Sequence, residues 1–176
     1  MDNPDKLKRF EQSVLPHLDA AHNLARWLTK SATDAEDVTQ EAMLRAFRFF
    51  DGFRGDEARP WLLKIVRNTF YTWREQNRLA GQSSSLGEDA MEIADDRPSP
   101  PELHQQELDA SLLHETLSAL PDEFREVLTL RELEECSYKE IAAIMNIPMG
   151  TVMSRLARAR QQLERLLRQR LAGAQT

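Results

Sequence analysis

Apolar positions recur along this chain at steps of three and four residues, the spacing of one helix face. In residues 5–30 the stripe is Leu7, Phe10, Val14, Leu18, Ala21, Leu24 and Leu28. Pro16 interrupts it and predicts a kink or short break, because proline has no amide proton to donate. Thr33-Asp34-Ala35-Glu36 has the capping-box pattern and predicts a second helix to about Phe50. Its inward stripe is Ala35, Val38, Ala42, Ala46 and Phe49. Gly52 and Gly55 mark a loop, and Pro60 suits the first turn of a third helix over 60–78. The periodicity then dissolves into Gly81-Gln82-Ser83-Ser84-Ser85 and Pro98-Ser99-Pro100-Pro101, which is linker chemistry. It returns in helices expected over 105–119 and 122–133. Ser137-Tyr138-Lys139-Glu140 is a second capping box, opening a short helix to Met145. A turn at 146–150 and a long helix over 149–171 complete the chain.

No alternating run of Val, Ile or Thr reaches strand length. The expected fold is therefore all-α, with two small helical domains, 1–80 and 105–176, joined by a flexible acidic linker over 81–104. Between Ser83 and Asp109 the acids Glu88, Asp89, Glu92, Asp95, Asp96, Glu102, Glu107 and Asp109 face only Arg97. The chain has 176 residues, 41% hydrophobic and 30% charged, which suits a globular protein of this plan.

The net charge of −6 argues against a generic nucleic-acid binder, because phosphate attraction needs positive charge. The distribution changes that picture. Residues 151–170 carry six arginines against the single acid Glu164. A second basic stretch holds Arg59, Lys64, Arg67, Arg74 and Arg78. The protein thus has basic faces on an acidic body.

The short capped helix, brief turn and Arg-rich helix make a helix-turn-helix candidate. Val152, Leu156, Ala159 and Leu163 fall on one side and should pack on Leu128, Ile141 and Ala142. Thr151, Ser154, Arg155 and Arg158 fall on another, in the turns that enter a groove, and can bond base edges and phosphates. A solvated basic helix in a bundle is the alternative. On the third helix Lys64, Arg67, Tyr71, Arg74 and Arg78 share a stripe. Cations that track a backbone beside a ring that stacks on bases suit single-stranded DNA. Trp61, Phe70 and Trp73 are better read as core, leaving Tyr71 as the exposed ring.

Three long stretches carry a resemblance. Leu120-Pro121-Asp122-Glu123-Phe124-Arg125-Glu126-Val127, Ser137-Tyr138-Lys139-Glu140-Ile141-Ala142 and Pro148-Met149-Gly150-Thr151-Val152-Met153-Ser154-Arg155-Leu156-Ala157-Arg158-Ala159-Arg160 are in register with the fourth domain of extracytoplasmic-function sigma factors. Asp34-Ala35-Glu36-Asp37-Val38-Thr39-Gln40-Glu41-Ala42-Met43-Leu44-Arg45-Ala46-Phe47 resembles that family's second domain, as do Phe53-Arg54-Gly55-Asp56 and Trp61-Leu62-Leu63-Lys64-Ile65-Val66-Arg67-Asn68.

The resemblance implies that Thr151, Ser154, Arg155 and Arg158 read a −35 promoter element. It implies that Lys64, Arg67, Asn68, Tyr71 and Arg74 line the −10 strand path, with a flipped base held by the loop over 53–60. It implies that Asp37, Gln40, Glu41 and Leu44 dock on core RNA polymerase. Promoter DNA, core polymerase and an anti-sigma factor are the implied partners. Met153 departs from the family, which often has Lys or Arg there, and a methionine offers a thymine-methyl contact in place of a phosphate contact.

The first rival is an autonomous helix-turn-helix regulator, which leaves the first-domain motifs unexplained. The second is a sigma mimic that titrates an anti-sigma protein, which need not keep the basic faces. An enzyme is the third. His17, His22, His104 and His114 are scattered, and neither a phosphate-cradling glycine loop nor a nucleophile constellation occurs, so no catalytic residue, metal or cofactor is expected. The lone Cys136 forms no intramolecular disulfide and reads as a packing residue more readily than as a redox sensor. A reducing cytoplasm fits it. The N-terminus has no apolar signal core, and no apolar run approaches the ~20 residues of a membrane span.

Overall fold

The computed structural model describes residues 4–81 and 101–174, and every regular element among them is helical. The first half consists of α1 (Pro4–Ser13), α2 (Leu18–Thr29), α3 (Ala32–Phe49) and α4 (Ala58–Leu79). The second consists of α5 (Pro101–Ser118), α6 (Asp122–Leu128), α7 (Tyr138–Met145) and α8 (Met149–Ala174). The acidic linker falls almost wholly outside the described residues. Its last residues belong to α5, which opens four residues earlier than the periodicity suggests.

The break at Pro16 is present as a short 3-10 turn, Leu15–His17, between α1 and α2. The stripe around it is narrower than expected. Phe10, Val14, Ala21, Leu24 and Leu28 are buried, but Leu7 and Leu18 are exposed. The change of axis at the turn explains this, because a stripe drawn through one straight helix cannot stay inward across a break.

The start of α3 also differs. Ser31, in extended conformation, accepts a hydrogen bond from the Asp34 amide at 3.3 Å and is the true N-cap. Thr33 lies inside the first turn and is exposed. At the far end the helix tightens into a 3-10 turn, Phe50–Gly52. That turn buries Phe50 and leaves Phe49 58% exposed, the reverse of the expected inward Phe49. Phe10 packs edge-on to Phe50 at 5.5 Å, closing α1 over the end of α3.

In the second half the helix expected over 122–133 is α6 followed by a π-helical turn, Thr129–Leu133. The wider turn brings the Glu134 amide to the Thr129 carbonyl at 3.0 Å. The Ser137 cap is as expected, accepting from the Glu140 amide at 3.1 Å. Asn146 ends α7 in the left-handed conformation at φ 54, which its short polar side chain tolerates. The turn to α8 follows. Val152, Leu156 and Ala159 are buried against α6 and α7, and Leu163 only partly.

The two halves touch. α2 packs on α6, and α4 packs on α7. No described helix is long and apolar enough to cross a membrane.

The capping assignment is open to test by urea denaturation. Ser31→Ala should cost about 1 kcal/mol, the usual loss at an N-cap, while Thr33→Ala should change stability by no more than a few tenths.

Candidate nucleic-acid and partner interfaces

The outer face of α3 is set by its inner one. Ala35, Val38, Thr39, Ala42 and Ala46 are buried on α2 and α4. The 3.6-residue repeat therefore turns Asp37, Gln40, Glu41 and Leu44 outward, and all four are exposed. Leu44 is 65% exposed in this polar setting. Glu41 ion-pairs with Arg45 at 3.1 Å one turn along. This face is open and apolar at its centre, as a docking surface requires.

The start of α8 has the same logic. Ser154 and Arg158 are exposed, while Thr151 and Arg155 are half-buried. Arg155 lies 3.9 Å from Glu123 on α6, and Ser154 donates to the Thr151 carbonyl at 3.1 Å. Met153 is 49% exposed on the same end. These side chains converge at the start of α8, as the pattern in the sequence suggests.

The loop before α4 encloses an open cavity of about 630 Å³, lined by residues 52–57 and Trp61. Phe53 and Trp61 form its apolar wall, with ring centroids 4.8 Å apart. Acidic and basic groups, Asp56, Glu57 and Arg54, rim it.

The basic stripe of α4 departs from expectation. Lys64 and Asn68 are exposed, but Arg67 and Tyr71 are half-buried and Arg74 is tied down. Arg67 ion-pairs with Glu126 of α6. The Tyr71 hydroxyl donates to the other oxygen of that carboxylate at 2.9 Å. Arg74 meets Asp122 at 2.5 Å and also lies 5.0 Å from the Tyr71 ring centroid. The expected exposed ring of Tyr71 is thus covered, because the second half sits on it. Phe70 is core as expected, with Trp61 and Trp73 half-buried around it.

Two adjacent charges anchor this contact. Glu126 has no exposed side-chain surface and Arg125 only 1%. Arg125 donates to the Trp27 carbonyl at the end of α2 (2.9 Å), to the Leu120 carbonyl (2.9 Å) and to Asp122 (2.6 Å). Burial pushes the Glu126 carboxyl above its ordinary range, although Arg67 and Tyr71 oppose it. Burial would also raise Asp122, but Arg125 and Arg74 override it and hold that carboxyl below its usual value. Tyr71 is pushed up to about 12 by burial and by the Glu126 charge. His114 of α5 packs on Trp27 with centroids 4.7 Å apart, and burial lowers its pKa.

Cys136 is fully buried where α7 meets α4, with an Arg59 nitrogen 3.7 Å from its sulfur. Burial pushes its thiol up, away from the reactive thiolate. No cluster of metal-ligating side chains occurs among the described residues. Asp122, Arg125 and Glu126 are the residues that sequence reasoning missed. Their spacing on α6 was visible, but nothing local marks a helix as the partner of another so distant in the chain.

Comparison with known proteins follows the same division. Residues 14–79 match the family "Sigma-70 region 2", and residues 110–163 match "Sigma-70, region 4". The RNA polymerase sigma-H factor of Pseudomonas aeruginosa is 35% identical, across 95% of this chain and 90% of its own. The ECF RNA polymerase sigma-E factor of Escherichia coli K12 is 38% identical, across 74% and 72%. The chain matches 60% of the length of a third relative, the ECF RNA polymerase sigma factor SigE of Mycolicibacterium smegmatis, at 34% identity over 88% of this chain. Two solved structures are similar in fold. The sigma factor RpoE bound to the anti-sigma factor NepR from Bartonella quintana gives a TM-score of 0.74 at 30% identity, covering 92% of this chain and 98% of that one. CnrH in complex with the cytosolic domain of CnrY gives 0.64 at 27% identity, covering 92% and 88%.

The covered phenol yields a titration. Tyr71 is neutral in the contact, so the contact is fully present below the ordinary phenol pKa of about 10 and is lost as pH rises toward 12. An absorbance titration should show a tyrosine step near 12 that Tyr71→Phe removes. An unchanged curve in the variant contradicts the burial of this hydroxyl.

Proposed function

Because this chain belongs to the extracytoplasmic-function sigma factors, we propose that it binds core RNA polymerase and directs it to promoters by reading a −35 and a −10 element. The observation that carries this is the face at the start of α8, with Ser154 and Arg158 exposed and Thr151 and Arg155 half-buried beside them, on the helix-turn-helix frame of the region 4 match. Arginine and the hydroxyl residues there suit base edges and phosphates in a major groove. Asp37, Gln40, Glu41 and Leu44 dock on core polymerase, with Leu44 as the apolar anchor. Lys64, Arg67, Asn68, Tyr71 and Arg74 line the path of the −10 strand. The open cavity before α4 takes a base from the opened duplex against its Phe53–Trp61 wall, repaying the few kcal/mol that unstacking costs.

The division of labour is 1–80 for core polymerase and the −10 element, 105–176 for the −35 element, and 81–104 as the tether. The protein acts in the cytoplasm and works without catalytic residues. An anti-sigma factor controls it, a reading supported by the two similar solved structures, each described with a partner of that kind or a cytosolic domain.

The reading is tested by transcription in vitro from fragmented genomic DNA, with core polymerase and with or without this protein. New starts sharing upstream elements near −35 and −10 are expected only with the protein. The absence of new starts despite binding to core would overturn it. On such a promoter Leu44→Asp should abolish core binding while leaving helical content intact. Arg158→Ala should weaken recognition by about 1–3 kcal/mol, roughly a 5- to 150-fold loss at the matched −35 sequence and little at a mismatched one.

A further inference from the structure

The first turns of α8 expose more than polar groups. Met149 and Met153 are 45% and 49% exposed. They lie four residues apart and so stand one above the other on the helix. Ala157, also exposed, continues the stripe one turn further. Neither methionine belongs to the core of this helix, which is Val152, Leu156 and Ala159. Exposed Ser154 and Arg158 form the neighbouring stripe. An apolar strip thus runs beside the polar one at the end of α8 that enters a groove.

Two conditions limit what can cover these methionines. Their helix is cationic, with six arginines and one acid over residues 151–170, so the occupant is anionic overall. It is also apolar at points about 6 Å apart, because four residues of helix rise about 1.5 Å each. The major-groove edge of a DNA duplex meets both conditions. Its phosphates carry the charge, and the 5-methyl of thymine is the apolar group on that edge. Base pairs stacked about 3.4 Å apart place the methyls of neighbouring thymines at a matching spacing. The polar groups of the same turns are partly committed within the protein. The Ser154 hydroxyl donates to the Thr151 carbonyl at 3.1 Å, and Arg155 is half-buried 3.9 Å from Glu123.

We propose that Met153, with Met149 one turn before it, is a specificity residue that reads thymine 5-methyl groups in the −35 element. This rests on the sigma-factor reading and adds the base that these turns of α8 select. Methionine suits the task because its unbranched thioether chain adapts to a small apolar target. Its selection against cytosine has two sources. Cytosine lacks the methyl, and its amino donor finds only a weak acceptor in the thioether sulfur. A donor left unpaired in the covered groove is penalised. Selection against uracil rests on the methyl alone.

The test uses the full chain with core polymerase and a duplex carrying a promoter mapped by transcription. Deoxyuridine replaces thymine in the −35 element one position at a time, which removes a methyl and nothing else. Wild-type holoenzyme should bind about 4-fold more weakly at one or two such positions, the worth of one buried methyl each. Met153→Gln, similar in length and at an exposed site, should bind the thymine and deoxyuridine duplexes alike at one of them. Met153→Ala should also lose most of the difference. Arg158→Ala should bind both duplexes more weakly and keep the wild-type ratio between them. A mapped −35 element without thymine, wild-type binding indifferent to every deoxyuridine, or an undiminished ratio in Met153→Gln overturns the methyl assignment. In each of those cases the new starts made with wild-type protein keep the sigma-factor reading standing. Core binding without new starts removes both readings.

Discussion

Arg125 and Glu126 stand next to each other on α6, and both are out of water. A buried charge is tolerated only when paired and hydrogen-bonded, because losing its partner costs several kcal/mol. Each finds part of what it needs across the molecule, Arg125 at the Trp27 carbonyl and Glu126 at Arg67 and Tyr71. These requirements fix how the second half sits on the first. They set α6 against α2 and its carboxylates on Arg67, Tyr71 and Arg74 of α4, while α7 packs on α4 with Cys136 beside Arg59, and His114 lies against Trp27. The apolar cores make each set of helices, and these two charges select their mutual position.

The packing of the two halves sorts the candidate surfaces into two groups. The outward face of α3 and the tip of α8 keep Leu44, Ser154 and Arg158 in solvent. The stripe on α4 and, in part, Arg155 are engaged with α6. A surface that meets a protein partner can stay open without harm, whereas a cationic surface left free would bind any polyanion. The acidic balance of the chain serves the same end over a longer range, since its net charge of −6 repels nucleic acid at a distance.

Local features of the fold were legible because their causes are local. A break at Pro16, a cap at Ser137, a turn ended by Asn146 and the inward stripe of α8 each follow from a few neighbouring residues. Errors arose where a second signal competed nearby. Ser31 and Thr33 both offer a hydroxyl before an acid, and only the extended backbone at Ser31 decides which one caps. Phe49 and Phe50 are adjacent rings, and the tightened turn after α3 selects the second for the core.

Hydrophobic periodicity, capping patterns and charge clustering thus determined by themselves that the chain is helical, that it has two halves, and which faces of α3 and α8 point outward. Those properties depend on side chains within a turn or two of each other. Only the tertiary structure decided the fate of Arg67, Tyr71 and Arg74, because their partners Glu126 and Asp122 lie 48 to 59 residues away. The sequence lists both stripes of charge, but pairing is a matter of distance and desolvation in space. Only when the two halves meet does the basic face of α4 become the seat of an acidic helix.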